Sequence, residues 1–230
     1  MLRRKKDKAA EILKKADIVV ADFDETFTKK NAAELLARKH ALRFLLNSLR
    51  KGELRKTMSE LKVMTETLRR RIGKGYEGAA VYELLKQLEA RGVPRESIVK
   101  EVQELRRKHL DIHGIRLLEE LAREKPVFLI TFGPAPDIEI KGVKKISNPV
   151  WFEGKKNLMY SFEEKQKALE MELKKLGKRE GKIAFIGDKK ELPEKVLGFQ
   201  VSFLESPYAK KRFGTKIKSY KKLLKNLKKA

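Results

Sequence analysis

Along the chain, apolar residues gather in short unbroken runs, separated by longer stretches in which they recur every three or four positions. Ile18-Val19-Val20-Ala21, Val127-Phe128-Leu129-Ile130 and Ile183-Ala184-Phe185-Ile186 are runs of the first kind, each ended by a polar residue or glycine. Such runs mark strands covered on both faces of a parallel sheet. Phe199 to Leu204 is a weaker fourth. Helical spacing over Ile115 to Glu124 and Phe162 to Leu176 separates them. The alternation predicts an α/β fold, a doubly wound parallel sheet with helices on its faces. In that architecture the functional cleft lies beyond the carboxyl ends of the strands, which is where Asp22, Thr131 and Asp188 fall.

Between Thr28 and about His109 the strand pattern disappears, and the spacing predicts helices over Ala32 to Leu49, Leu54 to Arg71, Ala79 to Ala90 and Arg95 to His109. Lys51-Gly52, Gly73-Lys74-Gly75 and Gly92-Val93-Pro94 supply the breaks. The expected organisation is therefore a core from residues 1–28 and 110–230, with residues 29–109 inserted after the first strand as a helical bundle whose interior Met58 and Met64 help to fill. Turn signals at Asn148-Pro149 and Glu153-Gly154, around Val150, Trp151 and Phe152, predict a hairpin between Ile146 and Tyr160. The C-terminal stretch carries Lys218, Lys221, Lys222, Lys225, Lys228 and Lys229, with Leu223, Leu224 and Leu227 forming an apolar stripe. It reads as a basic amphipathic helix, whose leucine stripe favours packing on the core over a nucleic-acid contact or a peripheral membrane helix.

Composition narrows the chemistry. Of 230 residues, 41% are hydrophobic and 38% charged, enough for a real interior under a highly charged surface. The chain has 56 Lys+Arg against 32 Asp+Glu, a formal charge of +24, which favours phosphorylated molecules or polyanions at long range and leaves nucleic acid as a candidate partner. Phe213 and Tyr220 are the aromatics near the basic tail, a thin base-stacking signal. The same charge density without cysteine suits a thermophile's intracellular protein. Zero cysteines exclude a disulfide framework, a thiol nucleophile and thiolate-held metal. His40, His109 and His113 are too few for a histidine-rich metal site and carry no assigned role. The N-terminus is basic but has no apolar continuation, and no run approaches the ~20 residues that span a bilayer. The expected location is cytoplasmic.

Asp22-Phe23-Asp24-Glu25-Thr26 follows the first apolar run. A carboxylate there can attack phosphorus while a second, one residue removed, handles a proton, provided that a divalent cation offsets the repulsion between anions. Asp188 is a candidate for holding that cation, and oxygen ligands without soft donors favour magnesium. Thr131 can donate to a phosphoryl oxygen, and a lysine preceding the third strand can balance charge developing in transfer.

The segment Ile18 to Thr28 resembles the first motif of the haloacid dehalogenase (HAD) superfamily, an apolar strand followed by Asp-x-Asp-x-Thr. Val127 to Thr131 is similar to its second motif, Lys165 to its third and Ile183 to Asp188 to its fourth, in the same order. The spacing from Lys165 to Asp188, the segment Asn148 to Gly154 and the helical insert resemble the phosphoserine phosphatase-like branch, with a helical cap after the first motif. The resemblance implies a magnesium-dependent phosphatase acting on a small phosphomonoester. Asp22 would be the nucleophile that becomes phosphorylated. Asp24 would act as acid and base. Asp22, the Asp24 carbonyl and Asp188 would hold the metal, and Thr131 and Lys165, with Gly133 as a further candidate, would bind the phosphoryl group.

This sequence departs from the pattern in two places. Leu192 stands where the fourth motif commonly has a second acid, with Glu191 as its neighbour and candidate substitute, and Lys167 competes with Lys165. The insert lacks a pattern for a serine carboxylate and amine, so the resemblance stops short of the substrate. The alternatives are a phosphotransferase or mutase using the same carboxylates, and a catalytically weak HAD-like scaffold that binds nucleic acid through its basic surface.

Overall fold

A computed structural model describes residues 7–74, 76–149 and 158–228. In chain order its elements are α1 (Lys8–Lys15), β1 (Ile18–Ala21), α2 (Ala32–Lys51), α3 (Leu54–Gly73), α4 (Glu77–Ala90), α5 (Arg95–His109), α6 (Ile112–Ala122), β2 (Val127–Thr131), β3 (Val143–Ser147), α7 (Phe162–Lys175), β4 (Glu180–Gly187), β5 (Lys195–Val196), β6 (Gly198–Glu205), β7 (Thr215–Lys216) and α8 (Tyr220–Lys228). The strands form one sheet in the order β3-β2-β1-β4-β6-β5, with β7 beside β6. Every pairing is parallel except that of β5 with β6. The order runs one way from β1 to β3 and the other way from β1 to β4, which puts the switch point, and so the cleft, at the carboxyl ends of β1, β2 and β4.

The apolar runs become central strands because both faces are covered. One face of β1, β2 and β4, including Val19, Ala21, Leu129 and Ile186, packs on α1, α6 and α8. The other, including Ile18, Val20, Ile130 and Phe185, meets Leu169 and Leu173 of α7. At roughly 1.5–3 kcal/mol for each large buried side chain, these two layers dominate the stabilisation of the fold. The basic tail lies on the core through Tyr220 and Leu223, leaving its lysines outward.

Helices α2, α4 and α5 form their own apolar cluster, with Leu36, Leu84, Leu85, Leu88, Ile98 and Val102 buried together, and α3 packs beside α2 and α4. Asn31 caps α2 by accepting from the Glu34 amide, and Gly52 ends it in the left-handed region at φ 73°. The chain leaves and re-enters the core side by side. Thr28 bridges Leu110 antiparallel, flanked by Lys29 N to His109 O at 2.9 Å and Asp111 N to Phe27 O at 2.7 Å.

Ile146 and Ser147 end β3, a parallel edge strand paired with β2, and the hairpin expected around Val150, Trp151 and Phe152 lies outside the described residues. One expectation needs correcting. Met58 does not fill the bundle. It is exposed, because α3 joins the bundle through few inward residues such as Leu61. The side chain of Met64 lies outside the described set.

Candidate active site

Asp22 extends the β1–β4 ladder one step beyond the strand, its amide donating to Ile186 O at 2.9 Å. The chain then turns back on itself. Thr26 N and Phe27 N both donate to Phe23 O, and Glu25 adopts φ 56°, which costs a non-glycine residue about 1–3 kcal/mol. Several contacts hold that turn in place. Phe23 and Phe27 are fully buried, Phe27 stacks on Tyr220 at 5.2 Å, and the Tyr220 hydroxyl donates to Thr26 O at 2.9 Å. The Ser206 hydroxyl donates to Glu25 O at 3.1 Å.

Lys165 enters from α7. Ser161 and Glu164 form a capping box that fixes the start of this helix, and Lys165, Leu169 and Leu173 then line its buried face at four-residue spacing. The lysine is fully buried and donates to Asp22 Oδ1 at 2.8 Å and to Glu191 Oε2. Its ammonium lies 4.6 Å from the centre of the Phe132 ring. Burial alone would lower its pKa, but Asp22 and Glu191 outweigh that and raise it above the ordinary lysine value. Lys167, about 200° further round the helix, faces solvent and pairs with Glu163 at 2.6 Å. The structure thus brings Lys165, and not Lys167, to Asp22.

Asp188 follows β4, and Glu191 reaches the same point from the next turn of chain. Carboxylate oxygens of Asp22, Asp188 and Glu191 lie within 4.8 Å of one another. Leu192 points the other way, into the apolar layer with Ile18 and Phe185. Burial, then the charge of Asp22, pushes Asp188 up to about 7 and Glu191 up to about 8. Asp188 Oδ1 is buried without a hydrogen-bond partner. A crowded group of hard oxygen donors with one atom unsatisfied suits a divalent cation such as magnesium.

Asp24 points away from this trio, toward the insert. Arg106 of α5 donates from Nε to its Oδ1 at 3.2 Å and from Nη2 to its Oδ2 at 2.5 Å. Nη1 of the same guanidinium reaches Pro134 O, and its Cζ lies 5.1 Å from the Phe23 ring centre. Gly133 makes room for it: a Cβ there would stand 2.8 Å from Nη2. Thr131, buried at the end of β2, accepts from Gly133 N at 3.4 Å. Lys189 binds both carboxylate oxygens of Glu77, at the start of α4, at 2.7 Å. Sequence reasoning missed Arg106, Glu77 and Lys189. Arg106 stands in the run Arg106-Arg107-Lys108, where nothing local marks one cation as buried.

No protein-family model matches the chain, and no curated protein matches it in sequence. Among solved structures, it is similar to phosphoserine phosphatase in its apo form, with a TM-score of 0.54 and 16% identity over 92% of this chain and 98% of that one. The chain shares the fold of that phosphatase, the α/β core expected from the motif order. It is also similar to the structure of DsGPDH of Dunaliella salina, with a TM-score of 0.56 and 17% identity over 97% of this chain but 38% of that one. A 2-haloacid dehalogenase from Pseudomonas syringae pv. Tomato DC3000 aligns with a TM-score of 0.49 and 13% identity, covering 93% and 99% of the two chains.

Proposed function

We propose that the protein is a magnesium-dependent phosphatase that hydrolyses a small phosphomonoester through a phosphorylated Asp22. The observation that carries this reading is the meeting of Asp22 with Lys165, Asp188 and Glu191 at the carboxyl end of β1. The phosphoserine phosphatase-like fold supports it.

In this reading Asp22 attacks phosphorus, and the bond to the leaving oxygen breaks as Asp24 gives that oxygen a proton. Water then attacks the phosphoryl group on Asp22, Asp24 takes its proton, and inorganic phosphate leaves. Lys165 and the Thr131 hydroxyl hold the non-bridging oxygens, where a buried ammonium acts on developing charge with little solvent screening. Asp22, Asp188, Glu191 and the Asp24 carbonyl would hold magnesium, whose charge lets a carboxylate meet a phosphate dianion. Because Arg106 occupies both Asp24 oxygens, the proton transfers require a small retreat of α5, which makes the insert a cap whose movement frees the acid.

Release of phosphate from p-nitrophenyl phosphate tests the reading. Activity that needs magnesium, is abolished by EDTA and falls at least ~10³-fold in Asp22→Asn is expected. Turnover that survives Asp22→Asn would refute it.

A further inference from the structure

Two cavities meet above Asp22. The inner one, about 60 Å³, is bounded by Asp22, Asp24 and Thr131 below and by Leu36, Leu85 and Val102 of the insert above. The outer one, about 480 Å³, lies between α2, α3 and α4. Asn31, Ala33, Glu77, Val81, Leu84 and Lys189 line both, so the two spaces adjoin across these side chains.

The charged groups of these walls are matched within the protein. In the inner cavity Asp24 pairs with Arg106, Glu77 with Lys189, and Asp22 and Glu191 with Lys165. In the outer one Glu34 pairs with Arg38, and Glu25 with Lys210 from outside. Asn31 spends its carbonyl oxygen on the α2 cap. Between these pairs the outer wall is mainly hydrocarbon, interrupted by Asn31 and by Thr65, whose hydroxyl donates to Leu61 O at 2.7 Å. Ala33, Ala37 and Ala41 stand one helical turn apart on α2, facing Ala80, Val81 and Leu84 of α4. A leaving group bearing an ammonium or a carboxylate would lose hydration there without gaining a counter-charge. A hydrocarbon chain would lose nothing polar and bury apolar area.

We propose, building on the phosphatase reading, that the substrate is the phosphate monoester of an apolar alcohol, whose hydrocarbon runs from Asp24 past the Glu77–Lys189 pair into the space between α2, α3 and α4. The insert thereby selects for length and lack of charge, and the small alanine side chains of α2 set the width of the passage.

A series of n-alkyl phosphates from ethyl to octyl, kept below micellar concentrations, tests this against O-phosphoserine. The expected kcat/KM climbs with length by up to about fourfold per buried methylene. Phosphoserine should fall ~10-fold or more below hexyl phosphate, since it has no hydrocarbon to bury between α2, α3 and α4. Ala37→Glu, which places a charge in the outer cavity, should flatten the climb. Efficient hydrolysis of phosphoserine with no dependence on alkyl length overturns the proposal and leaves the phosphatase reading standing. If no monoester is hydrolysed, the phosphatase reading fails, and calorimetric titration with non-hydrolysable n-alkylphosphonates decides the cavity separately. Affinity that rises with length then supports the apolar passage, and affinity independent of length rejects it.

Discussion

Arg106 grips Asp24 from across the cleft, with one nitrogen on each carboxylate oxygen, while the rest of its guanidinium is enclosed by Pro134, Gly133 and Phe23. The pair is the most direct polar tie between α5 and the turn that follows β1. Its arginine keeps 1% of its side chain exposed and its aspartate 19%.

Removing the arginine should loosen the insert. Arg106→Gln is expected to cost about 2–3 kcal/mol, at the lower end for breaking a buried pair because Asp24 keeps some solvent contact. That corresponds to a fall of about 4–12 °C in Tm for a domain of this size. Hydrogen exchange should accelerate in α5 more than in β1 or β4. An unchanged Tm with unchanged exchange would show that the pair does not tie the insert to the core.

The two lysines of α7 should behave differently. Lys165→Ala leaves Asp22 and Glu191 without their shared cation and should lower kcat/KM by at least ~100-fold. Lys167→Ala removes only an exposed pair with Glu163 and should change it by less than ~2-fold. Circular dichroism of both variants reports whether the fold is kept. Equal losses would move the phosphoryl-binding role away from Lys165.

Stability without metal should fall with rising pH. Asp188 and Glu191 have folded-state pKa values raised to about 7 and about 8. Across the interval from their ordinary values near pH 4 up to about pH 8 the folded protein therefore holds more protons than the unfolded chain. Their contribution is complete below that interval and is lost as pH climbs through it. Magnesium competes with those protons, so the rise in Tm it produces should be greater at pH 8.5 than at pH 6 and should shrink in Asp188→Asn. Calorimetry in EDTA and in magnesium at both pH values checks this. A magnesium shift that does not depend on pH would place the ion elsewhere.

Tyr220→Phe keeps the stacking on Phe27 and removes the hydrogen bond to Thr26 O. It should cost about 1 kcal/mol, or about 2–4 °C in Tm. A fall in kcat without a change in KM would show that the α8 contact also steadies the catalytic turn.

The central strands were readable because burial on both faces leaves an unbroken apolar signature, and the inserted helices because Gly52 and Gly92-Val93-Pro94 punctuate them. β3 was not, since Lys144 and Lys145 interrupt its run and its edge position leaves it half-exposed. β5 and β7, two residues each, are too short to imprint a period. Asp22, Thr131 and Asp188 could be found because topology sends strand ends to one place. The burial of Arg106 and the pairing of Lys189 with Glu77 depend on how the insert sits over the sheet. That is a tertiary relation, and neither the Arg-Arg-Lys run nor the Asp-Lys-Lys-Glu segment encodes it locally.

The bridge between Thr28 and Leu110 brings the two ends of the insert together, so the ends meet whatever lies between them. Closing a longer or shorter excursion from such a fixed root changes the entropic cost only slowly with length. The α2–α5 segment is therefore an exchangeable part. Grafting a different helical hairpin between these two residues would keep the sheet but strip Asp24 of Arg106 and Lys189 of Glu77, so a replacement has to rebuild those two ties.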